Sequence, residues 1–257
     1  MSRPPAGIPQ TTGPTSGLEL TAVLGPVRAQ NAFEETVERL LTVIKLGVIA
    51  PGGRFPAERE LAGLLGVSRI TLREAIRALQ LAGYVESRRG RLGGTFVIAT
   101  PPAPSPAELR RIAVEDADKI NDALTFRMAV ETGAAHVLAQ LVAARPADPE
   151  PGDVLRARLA ALNGASPAEY RRMDTLFHLS IADLTGSSLL AAACADARMR
   201  LNDLLNAIPV LQRNIDHTTA QHTAIVAAIL AGDPGAAQRA IAEHLDGTAA
   251  LLRGFLE

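Results

Sequence analysis

Residues 54–85 read RFPAERELAGLLGVSRITLREAIRALQLAGYV, and this stretch decides the fold of the N-terminal part of the chain. Leucines three and four residues apart predict a helix that Gly66 ends, and Ser68 can cap a second helix that stops before Gly83. Only a few residues separate the two, which is the spacing of a helix-turn-helix. A further helix is predicted before the stretch by Phe33, Val37, Leu40, Leu41 and Ile44.

The segments around this stretch set the domain organisation. Residues 84–87 and 95–98 predict two short strands around a basic, glycine-rich turn, so residues 30–100 are expected to form a winged helix-turn-helix. Proline-rich segments flank it: residues 1–29 are expected to be a disordered tail, and residues 101–106 an extended linker. Helical patterns fill residues 107–257. The fold class is therefore mainly α, with an all-α bundle of six or seven helices after the winged domain.

Composition and charge exclude several classes of protein. With 47% hydrophobic and 21% charged residues in 257, the chain can bury two cores, and no apolar run approaches the length of a membrane span. A single cysteine, Cys194, and the lack of a secretory signal favour the cytoplasm. Residues 31–100 carry ten basic against seven acidic residues, a net of +3, whereas residues 101–257 carry fourteen against nineteen, a net of −5. Only the N-terminal part is expected to meet a polyanion.

The third predicted helix has a basic stripe and an apolar face. Residues advance by 100° each, so Arg69, Arg73 and Arg77 fall within roughly 80° of one another, and the face made by leucine, isoleucine and alanine is centred about 110° away. An arginine fork fits guanine O6 and N7, and a helix N-terminus that begins with Ser68 can hold a phosphate. Three more arginines lie on the predicted wing: Arg88, Arg89 and Arg91. A solvated basic face is the alternative, but so many arginines on a helix and a wing favour DNA.

The quoted stretch resembles the DNA-binding signature of GntR-type bacterial transcription regulators. In that family the reading residues are the arginine of the Pro-Ala-Glu-Arg-Glu-Leu segment, the residues that open the recognition helix, an arginine four residues further on, and the wing tip. The resemblance implies that DNA is contacted by Arg59, Ser68, Arg69, Thr71, Arg73, Arg89 and Gly90.

A possible metal-binding set lies in the second domain. Asp174 and His178 are four residues apart and share one helix face, while His222 and His244 lie among apolar residues on two other predicted helices. One aspartate and three imidazoles suit a borderline divalent cation, zinc or nickel. The alternative is that the histidines are ordinary hydrogen-bonded core residues and that Asp174 and His178 form only an ion pair.

The same residues resemble the C-terminal effector domain, called FCD, of the FadR-like branch of the family. The resemblance implies that Asp174, His178, His222 and His244 bind a divalent metal beside a pocket for a small molecule. It also places Arg127, in an Arg-x-x-x-Glu segment, where an arginine meets an effector carboxylate. An ion pair between Arg127 and Glu131 is the equally weighted alternative.

Three functions remain in competition. The first is a transcription regulator, a repressor by expectation, that binds an inverted-repeat DNA operator as a homodimer and is controlled by a small carboxylate metabolite at the metal. The second is a metalloenzyme that uses the Asp/His set for hydrolysis, although no His-Glu-x-x-His or Gly-x-Ser-x-Gly motif supports it. The third is a DNA-binding protein whose bundle only dimerises. The first is the prediction, with no catalytic residue and no membrane partner.

Overall fold

The structure is a computed structural model that describes residue 24 and residues 32–90, 93–98, 117–207 and 212–256. The linker predicted at 101–106 and Arg91 lie outside these residues. So does the tail predicted at 1–29, apart from Leu24, whose side chain is buried in the N-terminal core. No helix within the described ranges is long and apolar enough to cross a membrane.

The N-terminal unit consists of three helices and an antiparallel hairpin, as the sequence predicts. Its elements are α1 (Ala32–Lys45), α2 (Glu58–Leu65), α3 (Arg69–Leu81), β1 (Val85–Arg88) and β2 (Gly94–Val97). The two strands pair with Val85 opposite Val97 and Arg88 opposite Gly94. Arg88, at the end of β1, is thereby held next to the turn at the tip of the wing.

The short turn between α2 and α3 is set by a glycine and a serine. Gly66 takes a φ of +65°, a left-handed conformation that a side chain would strain. Ser68 then caps α3, because its hydroxyl oxygen accepts the backbone N–H of Thr71 at 3.0 Å. The apolar face of α3 is buried, as predicted, through Leu72, Ala75, Ile76 and Leu79.

The C-terminal unit is an all-helical bundle, with six helices in the part of the chain that the structure describes. They are α4 (Ala117–Ala144), α5 (Glu150–Asn163), α6 (Pro167–Asp183), α7 (Ser188–Ala207), α8 (Gln212–Leu230) and α9 (Pro234–Leu256). The long helix α4 packs against α6, α7, α8 and α9. Side chains of α4, the longest of the described helices, therefore face the centre of the bundle.

The two units touch directly, which the sequence does not predict. Leu179 of α6 and Ala195 of α7 belong to the same buried apolar cluster as the core of the winged domain. Arg172 of α6 donates its Nε hydrogen to the carbonyl oxygen of Gly47, just after α1, at 2.7 Å. A buried contact, and not only a linker, thus joins the N-terminal unit to the bundle.

Gly47 should be sensitive to substitution, because its φ is +68° and an added Cβ would lie 3.0 Å from Cγ of Arg172. Gly47→Ala is expected to lower the free energy of unfolding by about 1–2 kcal/mol. Gly63→Ala is the matched control. Gly63 lies within α2 with nothing within 4 Å of an added Cβ, so alanine there should raise stability by about 0.5–1 kcal/mol. Equal effects of the two changes in denaturant titrations would contradict the expectation.

Candidate functional site

The predicted basic stripe of α3 lies on the protein surface. Arg69, Arg73 and Arg77 are exposed, and Arg59 of α2 is exposed as well. At the start of the helix, the hydroxyl oxygens of Ser68 and Thr71 are 2.9 Å apart and hydrogen-bonded. The N-terminal end of α3 thus presents ordered polar groups beside the arginines.

Glu58 organises two of these arginines, a role that the sequence does not single out. Its Oε2 accepts a hydrogen bond from Nε of Arg73 at 2.8 Å and lies 3.9 Å from a terminal nitrogen of Arg69. All three side chains are partly exposed, so the ion pairs add little to stability. Instead, the ion pairs orient the two guanidinium groups, because they hold these groups next to each other.

The wing carries a second basic group. Arg88 lies over the ring of Phe96, 4.3 Å from its centroid, and donates its Nε hydrogen to Glu86 at 2.7 Å. Arg89 and Gly90 are exposed at the turn that follows, where Gly90 has a φ of +102°. Of the predicted wing residues, these are therefore available to a partner at the tip.

The four predicted metal ligands come together in the bundle. Asp174 and His178 lie on α6, His222 on α8 and His244 on α9, and one ligand atom from each lies within 4.8 Å of all the others. Asp174 Oδ1 is 3.3 Å from Nε2 of His222 and 3.7 Å from Nε2 of His178. The three histidines are buried.

The polar neighbours of two histidines indicate which ring nitrogen faces the centre. Nδ1 of His178 lies 2.8 Å from Oε2 of Glu131, and Nδ1 of His244 lies 3.2 Å from Oε1 of Gln221. Since a carboxylate or amide oxygen accepts, we assign the hydrogen of both rings to Nδ1. The Nε2 atoms of His178 and His244 therefore present lone pairs to each other across 3.1 Å. A cation between them would turn this repulsion into ligation.

His222 supplies a second sign of a missing positive partner. Its side chain is 0% exposed, its Nε2 lies 3.3 Å from Oδ1 of Asp174, and its Nδ1 has no hydrogen-bond partner among the described residues. A buried polar atom without a partner costs free energy. Ligation through Nε2, which lies beside Asp174, would satisfy that nitrogen. The donor set thus fits a divalent metal ion better than it fits three ordinary core histidines.

A layer of buried charges surrounds the ligands. Glu131 Oε1 accepts Nε–H of Arg127 at 2.9 Å and lies 3.4 Å from Arg198, while Arg198 donates to Oδ2 of Asp174 at 2.7 Å. The exposed fractions of Glu131, Arg127 and Arg198 are only 2–3%. The two carboxylates and the two guanidinium groups that contact them balance in charge, and the half-buried Arg171 adds one positive charge near Asp174. A divalent ion would make the cluster more positive still.

These surroundings keep the ligands in metal-binding protonation states. Burial, followed by the charge of Arg198, lowers the pKa of His178 to about 4, although Glu131 and Asp174 oppose the shift. Burial and the neighbouring imidazoles lower the pKa of His244 well below its usual value. Burial disfavours ionisation of Asp174, but His178, His222 and Arg198 outweigh it and hold its pKa well below normal. Near pH 7 His178 and His244 are therefore neutral imidazoles, and Asp174 is an ionised carboxylate.

The residues behind the ligands are the part that sequence reasoning missed. The ion pair of Arg127 with Glu131, one of the two alternatives, is present, and Arg127 is also close enough to His244 to lower its pKa. The contact of Glu131 with His178 and the bridging role of Arg198 were not foreseen. One signal was available, because Arg198 follows Cys194 by four residues and so shares its buried helix face.

Comparison with known proteins follows the same division of the chain. Residues 33–97 match the model of bacterial regulatory proteins, gntR family, and residues 122–247 match the FCD domain. The putative HTH-type transcriptional regulator RmpR of Mycobacterium gastri is 31% identical over 226 residues, which cover 81% of this chain and 76% of the relative. The putative L-lactate dehydrogenase operon regulatory protein of Escherichia coli K12 is 30% identical over 244 residues, 87% of each chain. The solved structure of E. coli McbR/YncC is similar with 19% identity and a TM-score of 0.47, over 87% of this chain and 97% of that one.

The purified protein should hold about one divalent ion per chain, because four ligand atoms converge on one point. His222→Ala and His178→Ala should abolish this metal content, measured by elemental analysis. Chelation should lower the melting temperature of the wild type, since metal binding to the folded state stabilises it.

His136→Ala is the matched control, because His136 lies on α4 outside the ligand set. It should keep the ion. The contrary outcome is a wild-type protein that holds no ion after incubation with zinc or nickel and whose melting temperature does not change with a chelator. That result would identify the histidines as core residues.

Proposed function

The chain belongs to the gntR family of bacterial regulatory proteins and contains an FCD domain, and from this premise we propose that it is an effector-controlled repressor. The family makes it a DNA-binding transcription regulator and not an enzyme. We infer that it acts in the cytoplasm as a homodimer with inverted-repeat half-sites, because one small winged helix reads only a few base pairs. A dimer seated on its operator would block transcription without further contacts.

The proposed DNA contacts are those of α3, its N-terminus and the wing. Exposed arginines on α3 would read base edges, Ser68 and Thr71 would hold a phosphate, and the wing would contact the flanking backbone. The residues that match the family's reading positions are Arg59, Ser68, Arg69, Thr71, Arg73, Arg89 and Gly90, and we add Arg88 of the wing as a phosphate contact. The domains proposed are a tail at 1–29, the winged domain at 30–100, a linker at 101–106 and the effector domain at 107–257.

The effector is proposed to be a small carboxylate that binds at the metal beside Arg127. Arg127 and Arg198 balance Glu131 and Asp174, so Arg171 and a bound zinc or nickel ion would supply the surplus positive charge that attracts an anion. Glu131 orients the guanidinium group of Arg127 through a hydrogen bond, and such a group can bind both oxygens of a carboxylate. The name of the E. coli relative points to an L-lactate dehydrogenase operon, and lactate belongs to this chemical class.

One observation supports coupling between the effector and DNA: a single helix, α6, carries two of the metal ligands and also packs on the winged domain. Asp174 and His178 lie on one face of α6, while Arg172 and Leu179 lie roughly 130° away and contact the winged domain. A ligand that shifts or stiffens α6 would therefore act on the carbonyl of Gly47 and on the end of α1. Direct contact gives a shorter path than the proline-rich linker alone.

The DNA contacts can be tested with a duplex enriched from random sequence by the wild-type protein. Arg69→Ala or Arg73→Ala should weaken binding by about 1–3 kcal/mol and relax base choice at one position of each half-site. Arg88→Ala should weaken binding to all sequences and flatten the salt dependence, since a phosphate contact carries no base information.

Arg200→Ala is the control, because Arg200 is an exposed arginine on the bundle whose guanidinium group pairs with Asp196. It should bind like the wild type. Unchanged footprints for both α3 variants would contradict the assigned reading surface.

The effector site can be tested by a thermal-shift screen of small hydroxy acids and dicarboxylates with metal-loaded and chelated protein. A ligand at 100 times its Kd should add about 2.7 kcal/mol to stability, and only in the metal-loaded form. Arg127→Lys should retain the metal but reduce the shift, because lysine lacks the planar fork.

Arg172→Ala separates binding from coupling, since Arg172 contacts the winged domain and is not a ligand. It should show the full thermal shift but a smaller effect of the ligand on DNA affinity, measured by fluorescence anisotropy. If no carboxylate shifts the metal-loaded protein, the effector class is wrong. A wild-type response in Arg172→Ala would exclude this contact as the path.

A further inference from the structure

Ile70 is an aliphatic side chain on the surface of α3 that the contacts proposed so far do not use. Its exposed fraction is 70%, and it is the second residue of the helix. Single exposed apolar residues are common on proteins, so exposure alone carries no meaning. The position of Ile70 on the helix is what indicates a role.

Ile70 belongs to the arginine stripe. Spacings of three and four residues place Ile70, Arg73 and Arg77 on one side of α3, away from the buried leucines. Its place in the first turn matters as well, because the N-terminal residues of a recognition helix contact base edges in the major groove. A helix docked through these arginines would bring Ile70 against the bases.

The polar side chains next to Ile70 are already oriented by other contacts, and Ile70 itself can make only an apolar contact. Thr71 is bonded to Ser68 at 2.9 Å, and Arg73 is held by Glu58 at 2.8 Å, so the polar side chains on either side are already oriented. Ile70 has no donor or acceptor and, being β-branched, few conformations. It suits neither a phosphate nor the polar edge of a base. The apolar group that the major groove offers is the C5-methyl of thymine.

We propose that Ile70 is a specificity-determining residue that packs against a thymine methyl group in each operator half-site. The inference rests on the proposed DNA-reading role of α3. It adds the base that this position selects, and it predicts a preference based on one methyl group and not on a hydrogen bond.

Deoxyuridine gives a direct test, because it differs from thymidine only by lacking that methyl group. In the duplex enriched by the wild-type protein, each thymine is replaced in turn and affinity is measured by fluorescence anisotropy. One replacement per half-site should weaken wild-type binding roughly fourfold, the amount that corresponds to one buried methylene-sized group. Ile70→Ala should lose this penalty at the same base while keeping its other preferences, which a double-mutant cycle isolates.

Leu81→Ala is the matched control. Leu81 is 84% exposed and lies on the same side of α3, but about 16 Å further along the axis, beyond the first turns. It should retain the uracil penalty. Wild-type protein that binds the duplex but tolerates every replacement, or an equal penalty in Ile70→Ala, would overturn the inference. Failure to enrich any duplex would overturn the proposed DNA reading itself, and this inference with it.

Discussion

The carboxylate of Glu131 connects the buried charges of the bundle, and the geometry of the candidate metal centre depends on it. One oxygen accepts from Arg127 and lies near Arg198, and the other faces Nδ1 of His178. The first contacts compensate the cost of burying an anion among apolar helices. The last fixes the tautomer of His178 and turns its Nε2 toward the other ligands. Burial disfavours the charged form of Glu131, but Arg127, His178 and Arg198 hold its pKa well below normal.

The buried polar ligands are packed against apolar side chains of the bundle. Phe177 and His222 pack edge to face with centroids 4.8 Å apart, and Phe177 belongs to the same buried cluster as aliphatic residues of α8 and α9. Such a site responds as a unit, because a shift of one ligand breaks contacts of the others. Since α6 also packs on the winged domain through Leu179, the same stiffness that holds the ligands links the bundle to the DNA-reading unit.

Features that depend on neighbours in sequence were predictable. The cap at Ser68 and the buried face of α3 follow from local spacing, and the inward-facing histidines were visible as polar residues on apolar helix faces. Features that depend on distant pairing were not. The contact of Arg198 with Glu131 joins residues 67 apart, and that of Arg172 with Gly47 joins residues 125 apart. No periodicity encodes such a partner, because helix packing alone brings the two together.

The bond from Arg172 ends on a backbone carbonyl, and this has a consequence for how such a molecule can diversify. A carbonyl at position 47 is present whatever side chains α3 displays, so the bond does not depend on the bases that are read. The reading helix is therefore free to acquire new targets without disturbing the join to the bundle. Effector specificity and the DNA target can therefore change independently during evolution, provided that position 47 keeps a residue able to adopt its backbone conformation.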